Sequence, residues 1–217
     1  MFQFLSCLSS SGHSRRHFFQ AAAASTLVLS PVVEAADIGP NLLGQMPGYS
    51  PQIGVLVSEM TWMRGAVLRA VQGMTMDQLD FLLDNRANRI GALLLHLAAT
   101  ERLYQLNTFD RVGLQELEKH PAFEDWKVPM DLNEPARQKI KGHNLDYYLN
   151  ILREMREKTL AEFRKRDDKW LLSADATFAW GPTNNLCKWF HVCEHESHHT
   201  GQISLLATRT SAKPANG

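Results

Sequence analysis

The chain has 217 residues, of which 23 are Lys or Arg and 23 are Asp or Glu, so its formal net charge is zero. A neutral balance without a basic run gives no field for nucleic acid or for an anionic membrane surface. After the first 35 residues, no apolar run approaches the ~20 residues that a membrane-spanning helix needs.

The N-terminal residues predict an export signal. Arg15 and Arg16 precede a mildly apolar, alanine-rich stretch, and Val33 and Ala35 supply small residues for a cleavage site after Ala35. The pattern resembles a twin-arginine signal, which predicts a periplasmic or extracellular protein. An ordinary secretory signal and a basic cytosolic N-terminus are the alternatives. We therefore divide the chain into a signal peptide at 1–35, an extended arm at 36–49, one domain at 50–210 and a flexible tail at 211–217.

Four stretches of the domain show the apolar spacing of amphipathic helices, whereas strand-type alternation is almost absent. The predicted helices run from Pro51 to about Gly73, from Asn85 or Asn88 to Leu106, from Asn144 to Arg166, and from about Leu186 to Thr210. The charges between Arg153 and Arg166 are interpreted as a solvated face. Residues 107–143 predict a long connection with short helical turns, and 170–182 a hairpin or lid. The fold class is therefore all-α, a four-helix bundle with a long crossover connection.

Histidines concentrate in the last predicted helix, where four occur within nine residues. His191, His195 and His199 are spaced by four, so they share one face, and His198 lies beside them. Histidines at this spacing can offer two imidazoles to one divalent cation. A solvated polar stripe, or histidines that are each satisfied separately, is the alternative. His96 stands alone in the apolar second helix, where a histidine is more often a core residue than a ligand.

The segment His195-Glu196-Ser197-His198-His199 is also a formal H-E-x-x-H motif. In zinc proteases of this type the two histidines bind the metal and the glutamate is the general base. Those sites need a third ligand, usually downstream, but the 18 residues after His199 contain no His, Asp, Glu or Cys. A protease with Glu196 as its base is therefore the less favoured interpretation.

Three segments together resemble the DinB/YfiT-like superfamily of metal-dependent proteins. They are Leu94 to Glu101, the Trp180-Gly-Pro-Thr-Asn-Asn approach to the last helix, and His195 to Ile203. The resemblance covers most of residues 50–210 and is weakest at 107–143. The superfamily usually shows His-His-Arg-Gly-Gln, whereas Thr200 stands here in place of the Arg. Any function that depends on this arginine is therefore in question.

The resemblance implies that His96, His195 and His199 bind a divalent metal. Three histidines leave coordination positions open for water or substrate, as in catalytic sites, and suit Zn, Ni, Co or Fe. His191 and His198 lie close enough to contact substrate or to orient a ligand. The glutamates of the two helices either support the ligands or are exposed helix charges, the commoner case: Glu101, Glu194 and Glu196.

Superfamily members include thiol-dependent transferases and isomerases, so the resemblance implies a small-molecule metal-dependent hydrolase or thiol-dependent transferase. The catalytic candidates are His191, His198 and Glu196. A metal-binding or stress-related protein without turnover is the alternative from another class. We expect a small-molecule substrate and no nucleic-acid partner, and a homodimer stays open.

Overall fold

The computed structural model describes residues 41–210, and the predicted export signal and C-terminal tail lie outside them. Four long helices make the bundle: α1 (Pro51–Val71), α3 (Ile90–Thr108), α7 (Leu145–Phe163) and α9 (Asn185–Thr210). Helix α1 packs on α9, and α3 packs on both α7 and α9. The prediction of an all-α four-helix bundle is confirmed. Within the described range, no helix is long and apolar enough to cross a membrane.

Short elements connect the long helices. They are α2 (Met76–Leu79), α4 (Leu114–Leu117), a 3₁₀ helix (Pro121–Trp126), α5 (Lys127–Asp131), α6 (Glu134–Lys139), α8 (Asp168–Leu171) and the strands β1 (Ala174–Asp175) and β2 (Thr183–Asn184). The two strands form an antiparallel hairpin, with Ala174 opposite Asn184. Helix α5 packs against α3, so the long connection between α3 and α7 covers one side of the bundle.

The helix ends follow local chemistry, although not always at the predicted residue. Ser50 precedes Pro51 as expected, but its hydroxyl donates to Asp168 Oδ1 at 2.5 Å instead of capping α1. Asp168 Oδ1 accepts the backbone N–H groups of Gln52 and Ile53 at 3.0 and 3.3 Å, and thus caps α1 from α8. The predicted caps Asn85 and Asn88 are wrong for α3, because Arg89 is the residue at its N-cap.

The start of α9 determines how this helix meets the rest of the bundle. The side chain of Asn184 accepts the N–H of Cys187 at 2.9 Å, so the β2 strand leads into a capped helix. Trp189 is fully buried, stacks on Phe109 at 5.2 Å and donates its indole N–H to Thr108 Oγ1 at 3.1 Å. These contacts fix α9 against the C-terminal end of α3 and so set the position of the histidines that follow.

Candidate metal centre

Three of the histidines meet across the interface of α3 and α9. His195 Nε2 lies 2.8 Å from His96 Nε2 and 3.1 Å from His199 Nε2. His96 and His199 are buried and His195 is half-buried. The three ligand nitrogens lie within 4.8 Å of one another, close enough to bind one cation. The structure thus brings together the three residues that the superfamily resemblance implied.

The hydrogen bonds of the outer ring nitrogens fix the tautomers of two histidines. His96 Nδ1 lies 3.0 Å from the carbonyl oxygen of Pro129, and His199 Nδ1 lies 2.7 Å from Gln202 Oε1. Both partners are acceptors, so both Nδ1 atoms carry the proton and both Nε2 atoms present a lone pair. The Nε2 of His195 can donate to only one of the two. A cation that accepts all three lone pairs resolves this conflict, so the donor set fits a divalent metal.

Helix α5 provides the carbonyl that orients His96. The helix runs only from Lys127 to Asp131, and therefore the Pro129 carbonyl lies in its last turn, where no intrahelical N–H is available. The contact between α5 and α3 places this oxygen on the imidazole. The connection at 107–143, where the sequence resemblance was weakest, thus contributes to the candidate metal centre.

Burial keeps the clustered imidazoles neutral. Desolvation, with the neighbouring His199 and His96, lowers the pKa of His195 to about 2. Desolvation also lowers the pKa of His199 to about 4, against a raising effect of its bond to Gln202. The pKa of His96 is lowered by burial as well. Neutral imidazole is the form that binds metal, so the fold presents its ligands ready for coordination near pH 7.

The lowered pKa values predict that the metal-free protein loses stability as the pH falls below about 6.5. Below that pH, the three histidines become protonated in the unfolded chain but stay neutral in the folded protein: His96, His195 and His199. Above it, their imidazoles are neutral in both states. For each of these histidines, the free energy of unfolding then decreases by up to about 1.4 kcal/mol for every pH unit below this value. Urea unfolding of chelator-treated protein near neutral and mildly acidic pH measures this slope. His195→Gln should flatten it, whereas the exposed His198→Gln should not, and a slope equal in all three proteins would contradict the account.

His191 lies one turn before His195 and faces a cavity of about 210 Å³. Its Nδ1 is 2.9 Å from the hydroxyl of Tyr104, and its ring centroid is 5.1 Å from that of His195. Burial lowers the pKa of His191 and raises that of Tyr104. The cavity wall includes His96 and His195, so a ligand in it would lie beside the candidate metal centre.

His198 and Glu194 lie on the outside of α9. His198 is exposed and its Nε2 is 3.4 Å from the side-chain nitrogen of Gln202. Glu194 is exposed too, with a carboxylate oxygen 3.9 Å from His191 Nε2. Together with His191 and His195, Glu194 forms a second, more open group that could hold a cation.

Glu101 and Glu196 are not exposed helix charges, and that interpretation is wrong. They are 0% and 1% exposed and form a buried ion cluster with Arg64 and Arg156. Arg64 donates to Glu196 Oε1 at 2.6 Å and to Glu101 Oε2 at 3.0 Å. Arg156 donates to Glu101 Oε1 at 2.9 Å and to Glu196 Oε1 at 2.8 Å. The carboxylate of Glu196 therefore points into the bundle between two arginines, whereas a protease base has to face the metal.

Further hydrogen bonds support this buried ion cluster, although Glu196 Oε2 has no hydrogen-bond partner among the described residues. The hydroxyl of Thr159 donates to Glu101 Oε1 at 2.6 Å, and Gln105 donates to Thr159 at 2.9 Å. Nη1 of Arg64 donates to the carbonyl of Leu152 and Nη1 of Arg156 donates to the carbonyl of Met60, both at 2.9 Å. Burial alone would raise the pKa of Glu101, but Arg156, Arg64 and these donors lower it overall. The cluster thus links all four long helices.

Sequence reasoning missed Arg64 and Arg156. Arg156 lies in the charged stretch that was interpreted as solvated, yet it is only 8% exposed. A signal was present, because Arg64 follows buried Met60 by four residues and precedes buried Val67 by three. A charge in phase with an apolar stripe is a candidate for a buried, paired group.

The four-helix fold and the three converging histidines define a DinB/YfiT-like protein. A family model described as mycothiol-S-transferase matches residues 55–211, most of the domain. The chain therefore belongs to the mycothiol S-transferase family. Among curated proteins no relative matches the chain.

Proposed function

We propose that the protein is a metal-dependent enzyme that transfers a low-molecular-weight thiol to a small electrophile. The observation that carries this proposal is the convergence of His96, His195 and His199 beside a cavity large enough for a small molecule. Membership of the mycothiol S-transferase family supports the thiol as one substrate. Mycothiol or a related thiol is therefore the first nucleophile to test.

His96, His195 and His199 would hold the cation, with Pro129 and Gln202 fixing two of the three rings. A divalent metal held there would supply Lewis acidity and so lower the pKa of a thiol substrate toward the neutral range. Zinc, nickel, cobalt and iron are all compatible with three imidazoles. Three protein ligands leave room for one substrate group, as catalytic sites do.

His191 would receive the thiol proton. It lines the cavity next to His195, and the hydroxyl of Tyr104 holds its Nδ1 at 2.9 Å. Burial lowers its pKa, so the ring is neutral and able to accept a proton near pH 7. A positioned acid or base of this kind typically contributes about 10²–10⁴-fold to a rate.

The alternatives are each less well supported. A hydrolase would use the same cavity and histidines with water as the nucleophile. A metal-binding protein without turnover does not require an apolar cavity beside the metal centre, nor a histidine such as His191 that a tyrosine hydroxyl orients there. The protease interpretation needs Glu196 next to the metal, whereas its carboxylate contacts Arg64 and Arg156.

The proposal is tested by thiol transfer to a fluorogenic chlorobimane. We expect purified, metal-loaded protein to accelerate the reaction of mycothiol, with the rate lost on chelation and restored by one divalent metal. His191→Ala should retain the metal and lower kcat by about 10²-fold or more. His198→Ala, from the exposed face of α9, serves as the matched control and should retain most of the activity. Thioester hydrolysis without thiol transfer would favour the hydrolase, and metal binding without either reaction would favour the binder.

We further propose that the protein is exported through a twin-arginine signal, a prediction that falls outside the described residues. Replacing both Arg15 and Arg16 with lysine should leave unprocessed protein in the cytoplasm, because this route reads the arginine pair. Cell fractionation and the N-terminal sequence of the processed protein measure the effect. A substitution of Arg69 with lysine is the control, and normal processing of the double variant would refute this route.

A further inference from the structure

The cavity beside the candidate metal centre has walls that are mostly apolar. Besides three histidines, the wall is formed by Thr100, Leu103, Tyr104, Leu114, Met130, Phe178 and Trp180. None of these residues carries a charge. An ionic ligand would lose its hydration here without gaining a charged partner, which is costly.

The two hydroxyl groups of the wall are already paired within the protein. The hydroxyl of Thr100 donates to the carbonyl of His96 at 3.0 Å. The hydroxyl of Tyr104 is engaged with His191 Nδ1 at 2.9 Å. A ligand that needs several hydrogen bonds, such as a sugar, would therefore find few free partners away from the metal centre. The cavity favours an apolar ligand.

The hairpin side of the cavity is held in place by an ion pair between a buried lysine and a half-buried aspartate. Lys188 is 2% exposed, and its ammonium group lies 2.7 Å from Asp175 Oδ2 and 4.6 Å from the ring centroid of Phe178. Phe178 is buried in turn and contacts Trp180 edge-to-face at 5.1 Å. This wall is therefore preorganised for a ligand.

Trp180 completes the wall from the solvent side. Its indole contacts His191 edge-to-face at 5.0 Å, yet the residue is 61% exposed. An exposed tryptophan beside an apolar cavity offers a large, rigid surface to a ring. The volume agrees with one ring, because a cavity of about 150 Å³ can bind benzene and this one has about 210 Å³.

We propose that this cavity binds the electrophilic substrate, and that the substrate is an uncharged compound built on a single aromatic ring. The assignment of this ligand as the electrophile rests on the proposed function. The inference that the cavity binds an aromatic ring does not depend on it. With an aryl halide, the thiol sulfur forms a bond to the ring carbon and the carbon–halogen bond breaks. The halide leaves with the bonding electron pair, and the thiol proton passes to His191 and from there to solvent. The polar thiol approaches from outside the cavity.

Binding is tested first, with fluorotoluene as the probe and fluoroacetamide as the polar control. Fluorine NMR of the purified protein should show binding of fluorotoluene alone, both with metal and after chelation. Trp180→Ala should weaken binding about three- to tenfold, the loss of one aromatic contact. Trp62→Ala removes a half-exposed tryptophan of α1 and should leave binding unchanged.

Turnover separates this inference from the proposed function. Metal-loaded protein should transfer thiol to chlorodinitrobenzene in preference to iodoacetate. Trp180→Ala should raise KM for the aromatic substrate, whereas Trp62→Ala should leave this KM unchanged. Fluorotoluene binding that Trp180→Ala leaves intact, or equal turnover of iodoacetate, would overturn the inference while thiol transfer itself stands. If no electrophile reacts but fluorotoluene still binds through Trp180, the proposed function fails and the assignment of an aromatic ligand holds.

Discussion

Replacing His96 with alanine is expected to abolish binding of one divalent metal per chain. The residue supplies the only ligand nitrogen from α3 in the cluster, and two nitrogens of α9 would remain. His195→Ala and His199→Ala should have the same effect, each well beyond the roughly 10–100-fold loss that follows removal of a residue supporting a ligand. Metal content after dialysis and calorimetric titration with zinc measure the change.

Two variants of α9 make the controls for this series. His198→Ala should bind metal almost normally, because this side chain is exposed and lies outside the cluster. Gln202→Ala removes the acceptor of the His199 Nδ1 proton and should weaken binding by roughly 10–100-fold. Full occupancy in His96→Ala would refute the site between helices. It would point instead to the open group formed by His191, Glu194 and His195.

Glu101→Ala is expected to decrease the free energy of unfolding by about 3–5 kcal/mol, because the two buried guanidinium groups would then share the single carboxylate of Glu196. Arg156 would lose two hydrogen bonds to the carboxylate and Arg64 one. Urea unfolding monitored by circular dichroism measures the change. Glu162→Ala is the matched control, since its ion pairs with Lys165 and Arg166 lie at the partly exposed surface and should contribute no more than about 1 kcal/mol.

Glu196→Gln separates the ion cluster from a catalytic role. We expect lower stability, retained metal and thiol transfer within about tenfold of the unchanged protein, below the range of a general base. A loss of about 10²–10⁴-fold with metal retained, together with peptide cleavage by the unchanged protein, would make Glu196 the base of a protease. Stability equal to that of the unchanged protein would contradict the role of Glu196 in the cluster.

Much of the fold could be predicted from the sequence because apolar spacing reports directly on amphipathic helices. The predicted last helix, from about Leu186 to Thr210, agrees with α9 to within one residue. The cap of α1 could not be predicted, because Asp168 reaches Gln52 across more than a hundred residues. Long-range partners of this kind leave no mark in a local pattern.

The candidate site was predictable in part for the same reason. The spacing of His195 and His199 identified a ligand pair, whereas His96 depended on resemblance to a family. The contact of the Pro129 carbonyl with His96 could not be predicted, since backbone atoms have no sequence signature and α5 is positioned by tertiary packing. The burial of Arg64 and Arg156 was only weakly indicated by their helical spacing from buried apolar residues, because most arginines lie at the surface.

The ion cluster also has a consequence for how the bundle assembles. Helices α1 and α7 contribute Arg64 and Arg156, α3 contributes Glu101, and α9 contributes Glu196. Without α9, two buried guanidinium groups would face a single carboxylate, so a three-helix intermediate carries an excess positive charge in a nonpolar interior. Docking of α9 removes that excess and in the same event brings His195 and His199 to His96. Folding of the core and formation of the three-histidine cluster are therefore expected to occur together, in one cooperative transition.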